Sequence, residues 1–115
     1  MIIDNQVVEV DSEIRDQIRL LNELGYKTFT SCAGHEWEPQ VYPYISFCDY
    51  NIRVDIAAPF CGLDFKDTRH FNRGYGMSIY AKREGDTEGF VRGLNELLKI
   101  LLVIKMLEDK LEDVE

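Results

Sequence analysis

Positive charge is scarce in this chain. Its 13 lysines and arginines face 21 aspartates and glutamates within 115 residues, a formal net charge of −8. That balance disfavours broad, non-specific binding to phosphate backbones. It leaves three readings of the surface: plain solubility, avoidance of nucleic acid, or imitation of nucleic acid toward a basic partner. No stretch of about 18 apolar residues occurs, so no membrane-spanning helix is predicted. The opening Met1-Ile-Ile-Asp-Asn-Gln has no basic segment followed by an apolar core, so a signal peptide is not predicted and a cytoplasmic protein is expected. There are only three cysteines, an odd number, and no Cys-x2-Cys pair. Free thiols or a metal site are therefore expected rather than a disulfide framework. A P-loop, a serine-histidine-acid order and a paired-carboxylate signature are all missing. No motif supports an enzymatic activity, and no cofactor is implied. Without repeats, low-complexity tracts or a linker, residues 1–115 are expected to form a single domain able to bury its own core.

The apolar residues that are present fall into periodic runs. Ile14, Ile18, Leu21 and Leu24 follow helical spacing after Asp11 or Ser12, either of which can cap a first turn. Gly25 suits the position after that helix. Tyr26 to Ser31 is β-branched and aromatic and predicts a strand. Tyr44 to Cys48 and Ile52 to Ile56 both alternate, and together they predict a β-hairpin with its turn at Asp49 to Asn51. Residues 57–76 hold Pro59, Gly62, Gly74 and Gly76 and are expected to be irregular. Met77 to Arg83 reads as a further strand. A long helix follows from Asp86 or Thr87 to about Leu111, where the acidic residues from Glu108 to Glu115 are expected to fray its end. Its apolar residues spread beyond one stripe, which predicts self-association through the 87–111 helix. The fold class is α+β: a mostly antiparallel sheet with two helices, about 12–24 and 87–111, packed on one face.

Two segments concentrate chemistry. In the first, Ser31-Cys32-Ala33-Gly34-His35-Glu36-Trp37, a thiol and an imidazole stand three residues apart. Cys32 can line a pocket, serve as a nucleophile beside a protonated His35, or join His35 in a metal site completed by Cys48, Cys61 or His70. Cys48 ends an alternating run and reads as a small core residue. Ala33 and Gly34 can offer backbone amides to an anion, or they can simply form a tight turn. Trp37 can stack on a base or cover the core. The second segment, Arg69-His70-Phe71-Asn72-Arg73-Gly74-Tyr75, is basic and aromatic within an acidic chain. Arg69 and Arg73 can fork onto phosphate, and Phe71 and Tyr75 offer stacking faces. Its plainer reading is a solvated connector.

The stretch from Leu21 to His35, with Gly25-Tyr-Lys-Thr and Ser31-Cys-Ala-Gly-His, followed by Tyr44-Ile-Ser-Phe47, resembles small uncharacterised proteins of Firmicutes and their phages. It is also distantly similar to wybutosine-type tRNA methyltransferase-like proteins, whose Ser-Cys-x-Gly loop ends with arginine where His35 stands here. The resemblance implies a helix-strand-loop unit with Ser31, Cys32 and Gly34 near a pocket. The functional expectation is a small phage or mobile-element accessory protein that sequesters a nucleotide-like or phosphorylated ligand between the 31–37 and 69–75 loops. Ligand contacts would come from Ser31, Cys32, Gly34, His35, Trp37, Arg69, Phe71, Arg73 and Tyr75. Two alternatives stand beside it: an acidic inhibitor of a nucleic-acid-binding host enzyme, and a zinc protein or enzyme using Cys32 and His35.

Overall fold

The computed structural model describes residues 2–3, 6–7, 10–34, 42–71 and 76–114. A short antiparallel pair, β1 (Ile2–Ile3) and β2 (Gln6–Val7), precedes a 3₁₀ turn at Ser12–Ile14 and helix α1 (Arg15–Glu23). Then come β3 (Thr28–Cys32), β4 (Tyr44–Phe47), α2 (Ile52–Ala57), β5 (Leu63–Asp67), β6 (Met77–Ala81) and α3 (Thr87–Val114). The main sheet has the order β3-β4-β6-β5 and is antiparallel throughout. The fold is α+β, as expected, with three α-helices among the described residues rather than two.

Side-chain alternation divides the sheet into two unlike faces. Ile45, Phe47, Leu63, Met77, Ile79 and Ala81 point to the helices and are buried. They meet Ile14, Ile18 and Leu21 before and within α1, Val54 and Ala57 of α2, and Phe90, Leu94, Leu97 and Leu101 of α3 in one core. The other face is polar. One row across it holds Cys32, Tyr44, Tyr80 and Asp64; the next holds Thr30, Ser46, Ser78 and Lys66. Ser46 and Ser78 are buried there and satisfy each other, Oγ to Oγ at 2.7 Å.

Helix α3 is seated by its first turn. Asp86 caps it by accepting from the Gly89 amide at 2.9 Å, and the Thr87 hydroxyl donates to the carbonyls of Ala33 and Gly34. Gly93 permits the close approach to β5. A Cβ there would lie 2.7 Å from Leu63 Cδ2 and 3.0 Å from the Cys61 carbonyl oxygen. Gln17 of α1 donates to Asn95 of α3 at 3.1 Å, and Arg53 of α2 pairs with Glu108 further along. The helix runs on through Val114 despite its acidic end.

Two expected elements are corrected. Ile52 to Ile56 forms the helix α2, not the second strand of a hairpin. The Asn51 side chain accepts from the Arg53 amide at 2.9 Å and caps the first turn. The buried residues are then Val54, Ala57 and Ala58, which follow helical spacing, while Ile52 and Ile56 face solvent. Residues 57–76 are not wholly irregular either, because Leu63–Asp67 is the edge strand β5. Its outward Asp64 and Lys66 are the kind of charges that keep a sheet edge from pairing with another chain.

The cap gives a direct check on this register. Asn51→Ala should lower stability by about 1 kcal/mol while Asn51→Asp retains most of it, measured by urea unfolding. A strand at 52–56 would leave both variants near wild type.

Candidate functional site

The described residues of the two chemically dense segments lie at opposite ends of the sheet. Cys32 pairs with Tyr44, and Tyr44 with Tyr80, at the end where β3 leaves and β4 enters. Asp67 pairs with Met77, and Met77 with Phe47, at the end from which Arg69 follows. The segments also leave opposite edge strands, β3 and β5. The shared pocket expected between the 31–37 and 69–75 loops is therefore not formed by their described residues. Antiparallel pairing of β4 with β6 is the physical reason: it sends the β3–β4 and β5–β6 connections to opposite ends. Of the nine expected contact residues, His35, Trp37, Arg73 and Tyr75 lie outside the described residues. For Phe71 only the backbone is described, in a 3₁₀ turn.

Ser31 pairs with Ile45 on the helix side, whereas Cys32 lies beside Tyr44 on the polar face. Beyond them, the Ala33 amide donates to the Asp11 carboxylate at 2.8 Å. An anion does sit on a backbone amide of this turn, and it belongs to the chain itself. Asp11 thus bridges from the start of α1 instead of capping its own turn by side chain. Gly34 has φ +66°, and a Cβ would stand 2.6 Å from Pro43 Cγ, so this position needs glycine for the turn itself.

Arg69 is held as firmly as an exposed side chain can be. Its Nε and Nη2 fork onto Asp67 at 2.6–3.1 Å, its amide donates to the same carboxylate at 3.0 Å, and its guanidinium lies 3.8 Å from the Tyr50 ring centroid. Tyr50 in turn donates to Asp55 of α2 at 2.5 Å and packs edge-on against Phe65. This arrangement fastens the end of β5 to the entry of α2. The bonds from the Arg69 side chain, then from its amide, lower the Asp67 pKa to about 2. Donation to Asp55 is the largest effect that raises the Tyr50 pKa.

The three cysteines are free and well separated in the fold. Cys48 is half-buried and donates to the Thr28 carbonyl, a structural position that fits the sequence reading. Cys61 precedes β5, at the far edge of the sheet from Cys32. Among the described residues, no group of three or more His, Cys, Asp or Glu is placed to hold a metal ion.

A cavity that the sequence reading missed opens beside the first turns of α3. Its volume is about 310 Å³, and its lining includes Cys61, Lys82, Arg83, Asp86, Arg92 and Glu96. Gly89 and Gly93, one helical turn apart, also line it; a Cβ at Gly89 would collide with the Asp86 cap, and one at Gly93 with Leu63. Lys82 is paired with Asp64 at 2.9 Å, Asp86 is engaged as the helix cap, and Glu96 is paired with Lys99 at 3.1 Å. Among the described residues, nothing pairs with the side chains of Arg83 or Arg92. Burial first, and then the Glu96 charge, push the Cys61 pKa up, so this thiol stays protonated at neutral pH. The sequence signal was present: Lys82-Arg83 just before a helix start, then Gly89-x-x-x-Gly93 on one face.

The Asp67 fork predicts a pH response. The folded-state pKa lies below the ordinary carboxylate value of about 3.9, so the bond's contribution is complete above that pH and is lost as pH falls toward 2. The NMR carboxyl titration of Asp67 should have a midpoint near 2 in the wild type. In Arg69→Ala it should move to roughly 3.9. An ordinary midpoint in the wild type would show that Arg69 is free to bind something else.

No family model, curated protein or solved structure matches this chain.

Proposed function

We propose that this protein binds a nucleotide-like or otherwise phosphorylated small ligand in the cavity beside the first turns of α3. The observation that carries the reading is the pair Arg83 and Arg92, two cations without partners among the described residues at the mouth of a cavity in an acidic protein. Guanidinium groups recognise phosphate by paired N–H donors, and such donors are seldom left idle around a concavity. The volume of about 310 Å³ suits a ligand near the small end of the usual range, such as a mononucleotide. The ligand class is the one expected from sequence, while the cationic contacts move from the 69–75 loop to Arg83 and Arg92.

Retention, not turnover, is the role proposed. Cys61 is the thiol of this cavity, and it is kept protonated and weakly nucleophilic. Sequestration of a signalling nucleotide by a phage or mobile-element protein would be one use of such retention. A second reading, an acidic inhibitor of a nucleic-acid enzyme, draws on the outer part of α3. From Leu102 onward, Glu108, Asp109, Glu112, Asp113 and Glu115 outnumber Lys105 and Lys110.

Native mass spectrometry of the purified chain, followed by thermal-shift titration with inorganic pyrophosphate and nucleoside mono- and diphosphates, separates the two. The binding reading expects a retained phosphorylated mass, or a rise in Tm that grows with ligand concentration. Arg83→Ala with Arg92→Ala should weaken that binding by roughly ten-fold or more, as loss of charge-assisted bonds does, whereas Arg69→Ala should leave it unchanged. Absence of any phosphate-dependent shift overturns the reading, and salt-sensitive capture of a basic protein would favour the inhibitor.

A further inference from the structure

Helix α3 carries two apolar stripes on opposite sides. Leu94, Leu97 and Leu98 face the core, and the residues nine positions later are Val103, Met106 and Leu107. Nine residues are about two and a half helical turns, so each member of the second set points away from its counterpart in the first. Leu102, Val103, Met106, Leu107 and Leu111 are 48–68 % exposed. A helix that is apolar on both sides is ordinarily covered on both. This stripe continues into a groove between α1 and α3, lined by Leu20 and Leu24 on one wall and Leu98 and Leu102 on the other. The surface turns around the helix from the groove at Leu98 and Leu102 to the outward Val103, Met106 and Leu107, about 14 Å along its axis, while Leu111, nine positions after Leu102, points away from the groove.

We infer that a second copy of this chain covers this surface, with the two α3 helices packed antiparallel about a two-fold axis near Val103. Charge fixes the direction. Residues 87–101 of α3 are balanced, with Glu88 and Glu96 against Arg92 and Lys99, whereas residues 102–115 hold five acids and two lysines. A parallel pair would set one acidic end against the other. An antiparallel pair sets each acidic end against a neutral half, and a crossing centred between Val103 and Lys105 faces Lys99 at the groove rim with Asp109 of the second copy. Self-complementarity of this kind is what a two-fold interface requires. Apolar residues at the centre with paired charges at the rim match the usual anatomy of such contacts.

The experiment is light scattering and sedimentation equilibrium on the full chain across the micromolar range, with disulfide trapping for direction. The wild type should have twice the 13.4 kDa chain mass. Val103→Glu with Met106→Glu alters only exposed positions and should weaken association at least ten-fold, with circular dichroism and Tm retained. Oxidation should link Val103→Cys chains to each other across the axis and leave Leu111→Cys chains unlinked, both compared with the unsubstituted chain. A wild type that stays at 13.4 kDa, or an association that the double variant leaves intact, overturns the inference. Self-linking of Leu111→Cys would overturn the antiparallel arrangement.

Discussion

A mismatch of lengths governs this molecule. Helix α3 has 28 residues and so extends about 42 Å, while the strands beneath it have four or five residues and span about 17 Å at most. The sheet can seat only part of the helix. Phe90, Leu94, Leu97 and Leu101 sit in the core, and Gly93 brings the axis close to β5. Beyond Leu101 the helix keeps only partial support, the last of it from Arg53 of α2 at Glu108. The long dimension of the molecule, 52 Å against 29 Å in the other two directions, reflects this overhang. The proposed ligand cavity and the proposed self-association surface lie toward opposite ends of this helix.

The ends of the sheet are also used differently. Where β5 ends, the described charges are engaged internally: Asp67, Arg69, Tyr50 and Asp55 form a chain of contacts that ties a strand to α2. At the other end, besides the Lys82–Asp64 pair, several internal bonds are made by backbone and short side chains. Asp11 takes the Ala33 amide, Thr87 takes two carbonyls, and Asp86 takes the Gly89 amide. Those bonds do not involve the longer cations Arg83 and Arg92, which have no side-chain partner among the described residues. Charged groups in an acidic protein are therefore not equivalent candidates for ligand binding, and the fold, not the local composition, decides which are available.

Much of the scaffold was legible in the sequence because long periodic runs have only one solution. Ile14, Ile18 and Leu21 specify α1, and the apolar positions after Thr87 specify α3. The short elements were not legible for a definite reason. In Ile52 to Ile56, Val54 satisfies both an alternating and a helical pattern, and the choice is made by Asn51 capping and by Ala57 and Ala58 beyond the window. In Leu63 to Asp67 the alternation is clean, but Pro59 and Gly62 just before it read as irregular chain. The separation of the two chemically dense segments was hidden by topology. A loop with a thiol and an imidazole and a loop with two arginines are natural neighbours until β4 is known to run antiparallel to β6, and nothing local in either segment records that pairing.

Separation along α3 makes the two proposed roles independent. Arg92 and Met106 are 14 residues apart, about 21 Å of helix, with the core-seated Leu94 to Leu101 between them. An antiparallel pair of α3 helices would send their first turns in opposite directions, so the two cavities would open at the far ends of the assembly. Neither cavity would borrow residues from the other copy, and each would bind with the affinity of a single chain. Association would then serve to cover the overhanging apolar stripe, while ligand capacity would simply scale with the number of chains. Cooperative binding would demand a different arrangement, with the first turns of α3 brought together, and the balance of charge along the helix opposes that arrangement.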